Sequence, residues 1–256
     1  MRRRLFIIIS LLGFCTFAFP NDGKTEIDSL LGVMDKTIAK RAVYTVAKEQ
    51  KIVDIKRRLQ REPSADNRYH LNNELIAEYQ SFICDSALAY IDRNMQMTRE
   101  LDNKELIDES RLRLAFVLSI SGLFTQAFEI FDTIVFDTLP HHLKVYYCWG
   151  YIRYNENLIK YTDNPKYNRV HLAEIARCRN TLMNLLDKDS DMYLKEKSFK
   201  LKAKGKYEES AGIQWALFKN EPVDSHGYAI VLLCCMLMLT MLGHCTKPLH
   251  LFVLKG

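Results

Sequence analysis

One stretch of the chain, from Ser110 to Ile134, places small residues where two helices would have to come close together. Ala115 and Ala127 would let one backbone approach the other, and Gly122 between them supplies a turn without the steric cost of a Cβ atom. The intervening apolar positions are Leu114, Leu118, Phe124, Phe131 and Ile134. Because this spacing is helical, the stretch predicts two helices packed as a hairpin.

The same pattern returns elsewhere in the chain. Ala87 lies about 40 residues before Ala127, which is within the period of helical-repeat proteins. A later copy matches the first hairpin at its turn glycine, at the aromatic residue after it and at the small residue beyond, with Gly205, Tyr207 and Ser210 in place of Gly122, Phe124 and Ala127. The 10 glycines and 6 prolines are too few for a turn-rich β fold. We therefore expect an all-α fold, a tetratricopeptide-like (TPR-like) solenoid of helical hairpins.

The chain begins with the features of an export signal. Three arginines, Arg2 to Arg4, precede an apolar run from Leu5 to about Phe17, and Ala18 is small enough for a cleavage site after it. We expect residues 1–18 to be a signal peptide, and the protein to be exported and either periplasmic or associated with the inner membrane. A buried N-terminal helix and a retained anchor are the alternative interpretations.

Breaks in the helical pattern divide the remainder into three parts. Residues 19–67 predict an N-terminal helical segment, and residues 68–222 predict the TPR-like repeat domain. Residues 223–256 are apolar and contain three cysteines, although a solenoid needs polar terminal repeats. Three interpretations of this segment stay open: a buried terminal helix, a membrane segment that is barely long enough for a bilayer, and out-of-frame sequence that follows Val231 in a truncated product.

Five aromatic residues are concentrated on one predicted helix, between Pro140 and Tyr161. They are Tyr146, Tyr147, Trp149, Tyr151 and Tyr154. One interpretation is interior packing between neighbouring hairpins. The other is a binding wall on the concave face of the solenoid, because tyrosine offers a large contact area at low entropic cost. We take these five residues as the candidate surface for a ligand or partner.

No motif in the sequence carries catalytic or metal-binding chemistry. The seven cysteines form no CxxC pair, and the histidines fall into no metal-ligand spacing. The acidic run from Asp187 to Asp191 is similar to the start of a calcium loop, but Met192 and Ser198 stand where that loop needs Gly and Glu. Ser190 is better explained as a helix cap. We expect no cofactor, no metal site and no enzymatic activity.

The charge pattern argues against a nucleic acid surface. The net charge of +5 is spread along helix faces instead of forming a dense basic stripe with interleaved aromatic residues. We therefore expect that these residues make no contact with nucleic acid. The expected partners are a peptide, a glycan or a protein in the cell envelope, with membrane association through the C-terminal segment as a further expectation.

With its signal, its opening helices and the hairpin at Leu112 to Ile134, the chain resembles an uncharacterised bacterial family of exported, TPR-containing membrane proteins. The resemblance covers roughly Ile27 to Val231. Longer members of that family continue through a transmembrane helix into a cytoplasmic helical portion that is described as regulatory or DNA-binding. The resemblance implies a sensory module of a transcriptional regulator, truncated after the repeats. An envelope scaffold that only assembles other proteins is the alternative hypothesis.

Overall fold

The computed structural model describes the backbone of residues 22–220 and the side chains of residues 31–220. In this part of the chain every regular element is helical. The α-helices are α1 (Asp22–Ala39), α2 (Arg41–Arg61), α3 (Ala65–Tyr79), α4 (Cys84–Leu101), α5 (Lys104–Ile120), α6 (Phe124–Asp132), α7 (His141–Leu158), α8 (Pro165–Leu185), α9 (Asp191–Ala203) and α10 (Tyr207–Asn220). Two 3₁₀ turns, Phe136–Thr138 and Ile159–Tyr161, flank α7. The predicted signal peptide and the apolar segment at residues 223–256 lie outside the described residues.

Four helical hairpins follow two leading helices. The paired helices are α3 with α4, α5 with α6, α7 with α8, and α9 with α10, and the two helices of each pair pack against each other. Neighbouring hairpins are joined by packing of α4 on α5, of α5 on α7 and of α8 on α9, while α2 packs on α3. Since each hairpin contacts the next along the chain, the described residues form a helical solenoid. The prediction of an all-α, TPR-like solenoid is confirmed.

Two glycines close the turns of equivalent hairpins in the same way. Gly122 and Gly205 have φ values of +82° and +75°, in the left-handed region that residues with a Cβ atom rarely adopt. The next amide then turns back to the end of the preceding helix, from Leu123 N to Leu118 O at 2.9 Å and from Lys206 N to Leu201 O at 3.0 Å. This is the Schellman arrangement, which satisfies carbonyl groups left open at the helix end.

The alanines of the repeat pattern belong to the apolar core. Ala87, Ala115 and Ala127 are all 0% exposed. Ala115 of α5 and Ala127 of α6 belong to one apolar cluster, with Phe131 beside them. A larger side chain at either alanine would separate the two helices, because protein interiors hold few voids of that size.

The last hairpin replaces this apolar contact with hydrogen bonds. Ser198 and Ser210 are twelve residues apart, as Ala115 and Ala127 are, and both serines are fully buried. The Ser210 hydroxyl donates to the Ser198 carbonyl at 2.9 Å, and the Gln214 amide donates to the Ser198 hydroxyl at 2.8 Å. A serine can occupy a small-residue position here because its hydroxyl finds a partner across the hairpin.

The left-handed turns give a direct test of the repeat assignment. Gly122→Ala and Gly205→Ala should each lower the free energy of unfolding by about 1 kcal/mol, because the added Cβ atom strains a positive φ. Gly212→Ala is the matched control, since Gly212 lies inside α10 with open space where a Cβ atom would be added. It should raise the free energy of unfolding by about 0.5–1 kcal/mol. Urea denaturation followed by circular dichroism measures all three, and a loss in the control equal to that at the turns would contradict this explanation.

Candidate partner-binding surface

Helix α7 carries the aromatic residues and lies between two packing partners. Its main neighbours are α5 and α8, and α6 makes a smaller contact. Leu143 and Cys148 are each 2% exposed and Ile152 is 0% exposed, so these side chains anchor the helix in the interior. Leu143 belongs to the apolar cluster shared with α5 and α6, and Ile152 belongs to the cluster shared with α8. The aromatic residues occupy the positions that flank these anchors.

Three tyrosines form a stacked series along one side of α7, which we call the tyrosine ladder. The rings of Tyr147 and Tyr151 stack with centroids 5.8 Å apart, and those of Tyr151 and Tyr154 stack at 5.6 Å. Phe131 of α6 packs against all three rings, with centroid distances of 5.6, 5.1 and 5.8 Å. The ladder therefore covers a core residue of the preceding hairpin and is held in place by it.

Tyr146 and Trp149 form a second group with residues of α5, which we call the tryptophan cluster. The rings of Trp149 and Phe116 lie 4.6 Å apart, and those of Trp149 and Tyr146 lie 5.7 Å apart. The Arg113 guanidinium sits 5.5 Å from the Tyr146 ring centroid, and that of Arg153 sits 6.0 Å from the Trp149 ring. Both distances are compatible with cation–π attraction.

The five predicted surface residues thus fall into two groups, and their exposure differs. Tyr154 is buried at 7% exposure. Tyr146, Tyr147, Trp149 and Tyr151 are half-buried, so each ring packs on the solenoid and also presents part of its surface to solvent. Interior packing and surface display, the two interpretations drawn from the sequence, coexist in these four side chains.

Burial raises the pKa of two tyrosine hydroxyls of this surface. It raises the pKa of Tyr146 to about 12, although the positive charge of Arg113 opposes that rise. Burial also raises the pKa of Tyr147 to about 12, with a smaller contribution from neighbouring Tyr151. Both groups are protonated at physiological pH, as an unshifted tyrosine is, and the half-buried Tyr147 can donate a hydrogen bond to a partner.

The central cysteines are core residues. Cys148 of α7 and Cys178 of α8 are free thiols at 2% and 1% exposure. Burial raises the pKa of the Cys148 thiol to about 12 and that of Cys178 to about 11. Since the thiolate is the reactive and metal-binding form, the environment of these thiols suits packing and not chemistry.

A buried ionic cluster attaches α9 to the helices that display the aromatic surface. Glu196 of α9 has a side chain that is 2% exposed, and it accepts from Arg179 Nε at 2.7 Å and from Arg153 Nη2 at 3.4 Å. Glu156 completes the cluster, with contacts of 2.9 Å to Arg179 and 2.6 Å to Arg153. Because Arg153 also lies near Trp149, the ionic cluster and the tryptophan cluster share one side chain.

A chain of buried hydrogen bonds, which we call the polar relay, crosses the earlier hairpins. Asn72 Nδ2 donates to Asn94 Oδ1 at 2.8 Å, and Asn94 Nδ2 donates to Asn73 Oδ1 at 2.9 Å. Asn73 Nδ2 donates to Glu109 Oε1 at 3.3 Å, and Arg113 Nη2 donates to the same oxygen at 2.7 Å. The relay connects α3, α4 and α5 and ends at the arginine that lies over Tyr146.

Sequence reasoning did not find the relay or the ionic cluster. A signal was present for the relay, because Asn72 and Asn73 lie between Leu71 and Leu75, two residues of the inner face of α3. Polar residues at such positions are expected to find buried partners. Glu196 gave no comparable signal, since α9 is rich in lysine and a glutamate within it is typical of a solvated helix face.

The described residues contain no arrangement suited to metal chemistry. In residues 31–220, no group of His, Cys, Asp or Glu is placed to hold a metal ion. Nor does any helix of the described region have the length and apolar character needed to cross a membrane. The acidic run forms the junction between α8 and α9. Ser190 Oγ accepts from Tyr193 N at 3.2 Å there, which confirms the assignment of Ser190 as a helix cap.

Comparison with known proteins identifies the family. A family model described as the SusR N-terminal TPR domain matches residues 38–254. Because the match covers most of the chain, the chain belongs to this family. The match extends past Val231 into the apolar C-terminal segment. No curated protein and no solved structure matches the chain. The expected relationship to TPR-containing, regulator-like bacterial proteins is confirmed, and TPR domains are generally non-catalytic modules for protein interaction or regulation.

The ionic cluster predicts a large effect of a single uncharged replacement. Glu196→Gln should lower the free energy of unfolding by about 1–3 kcal/mol, because the buried Arg179 guanidinium loses its closest carboxylate and keeps only Glu156. Glu209→Gln is the control, since Glu209 forms an exposed pair with Lys206. Its effect should stay within about 0.5 kcal/mol. Chemical denaturation of both variants measures the difference, and similar losses in the two would argue against a structural role for the cluster.

Proposed function

We propose that this member of the SusR N-terminal TPR domain family is the binding and sensory module of an exported, membrane-associated transcriptional regulator. In this proposal the module faces the periplasm. The module is not an enzyme; it recognises a peptide, a glycan or a protein of the envelope. The observation that carries the proposal is the half-buried aromatic surface of α7, flanked by Arg113 and Arg153.

The composition of this surface is that of a recognition site. Tyrosine, tryptophan and arginine dominate the binding energy of many protein interfaces, because they combine large contact area with directed polar groups. Here the rings are already ordered by packing against Phe131 and Phe116. A partner would therefore lose little side-chain entropy on binding, which favours affinity.

The ionic cluster offers a physical route from binding to signalling. Arg153 contacts Trp149 on one side and Glu196 of α9 on the other. A partner that displaces the Arg153 guanidinium would weaken the attachment of α9 to α7 and α8. Occupancy would then shift the balance between two packings of the last hairpin, as a ligand does when it binds one state better.

An envelope scaffold is the second candidate function. The same aromatic surface would serve it, but no small ligand would be needed. A sensor gains stability from a small soluble ligand by mass action, whereas a scaffold gains it only from a macromolecular partner. The two functions therefore differ in the molecular size of what stabilises the protein.

Tryptophan fluorescence can separate these functions. The chain has two tryptophans, so Trp215→Phe leaves Trp149 as the single reporter. The periplasmic extract of the native bacterium is divided into a small-molecule fraction and a protein fraction, and each is titrated against this variant. A sensor should show a change in Trp149 emission and a raised melting temperature with the small-molecule fraction, and a scaffold only with the protein fraction.

Substitutions within the surface complete this test. Tyr147→Ala should abolish the response while leaving a folded protein, because Tyr147 is only half-buried. The matched control is Tyr167→Ala on α8, which removes a ring that is 62% exposed outside the surface. The control should respond as the parent does. Absence of a response to both fractions, or an equal loss in both variants, would contradict the proposed surface.

Export has its own test. Alkaline phosphatase gains activity only where its disulfides can form, outside the reducing cytoplasm. A fusion of the enzyme after Asn220 should be active when residues 1–18 are present and inactive when they are deleted. Equal activity of the two fusions would show that residues 1–18 are not the export signal.

A further inference from the structure

A cleft of about 320 Å³ lies between α2, α3 and α4, away from the aromatic residues of α7. Helix α3 contributes Arg68 and Asn72, which are four residues apart and so share one helix face. Helix α4 contributes Arg93, Met97 and Glu100 at spacings of four and three residues, again along one face. Leu59 of α2 adds an apolar side. The volume is at the small end of the range for ligand sites, which suits a molecule no larger than a dipeptide.

The charged side chains of this cleft have no ion-pair partner among the described residues. Within residues 31–220, neither Arg68 nor Arg93 forms an ion pair, and Glu100 forms none either. The Arg93 guanidinium lies over the Tyr90 ring at 4.7 Å, which orders it without consuming its charge. Two guanidinium groups and one carboxylate therefore remain available to a ligand that carries charges of both signs.

Asn72 provides a second, independent indication of a ligand. The residue is only 3% exposed, and its amide nitrogen is used in the polar relay. Its Oδ1 atom is buried and accepts no hydrogen bond, one of two such side-chain oxygens in the described residues. A buried acceptor without a donor is costly, so a donor is expected nearby. Since Asn72 lines the cleft, a rotation of its side chain can bring this oxygen to a ligand N–H group.

We propose that this cleft binds a free amino acid or a dipeptide in its zwitterionic form. The ligand carboxylate lies against Arg68 and Arg93, and its ammonium or amide N–H groups face Glu100 and Asn72. An apolar side chain packs on Leu59 and Met97. A simple anion such as phosphate fits less well, because it would meet Glu100 and leave the Asn72 acceptor unsatisfied. The inference does not depend on the aromatic surface of α7.

Calorimetry and thermal melting of the purified full chain test this inference. The probes are leucyl-leucine, its N-acetylated form, its C-amidated form and inorganic phosphate, each at millimolar concentration. Leucyl-leucine should bind and raise the melting temperature, and blocking either end should weaken binding by about tenfold or more, since each block removes one charge-assisted contact.

Arg68→Gln and Arg93→Gln should each reduce leucyl-leucine affinity by about tenfold or more. The control is Arg99→Gln, which removes an exposed arginine of α4, the helix of Arg93, that does not line the cleft. It should bind as the parent chain does. Three results would overturn the inference: no binding of leucyl-leucine, stabilisation by phosphate equal to that by the dipeptide, or unchanged affinity in Arg68→Gln and Arg93→Gln.

Discussion

Close contact between the two helices of each hairpin is the constraint on which the other contacts of this protein depend. Ala115 and Ala127 are fully buried, and the left-handed Gly122 returns the chain at the angle that this contact needs. Only when the helices lie this close can Phe131 reach the next hairpin and meet the tyrosine ladder of α7. The aromatic surface is therefore a consequence of backbone packing one hairpin earlier, since a ring can bridge two hairpins only at a fixed separation.

Buried polar groups make this packing specific for one register. Apolar contacts between similar hairpins are weakly selective, whereas a hydrogen bond or ion pair is satisfied in one register only. The polar relay joins α3, α4 and α5, and the ionic cluster around Glu196 joins α7, α8 and α9. We interpret both as devices that fix the order and angle of the hairpins, at a cost in desolvation that their mutual contacts offset.

Arginine links these polar groups to the surface. Arg113 ends the relay and lies over Tyr146, while Arg153 belongs to the ionic cluster and lies near Trp149. A guanidinium can do both because its plane stacks on a ring while its edge donates to a carboxylate. The two aromatic groups of α7 are thus connected to the interior by charge as well as by packing, which makes this helix the natural place for a partner to affect the solenoid.

The helical class and the turns were predictable from the amino-acid order alone, because these features depend on neighbours along the chain. Helical spacing, scarce proline and the two glycines at positions 122 and 205 were enough to predict the equivalent hairpins. The same reasoning identified the aromatic residues of α7, but not that Tyr154 is buried while Tyr147 is only half-buried. That difference emerged from the packing in three dimensions, together with the partners of Glu196 and the cleft beside Asn72. Burial and pairing depend on which hairpins pack against each other. Local sequence patterns do not show which residues far apart in the chain will be in contact.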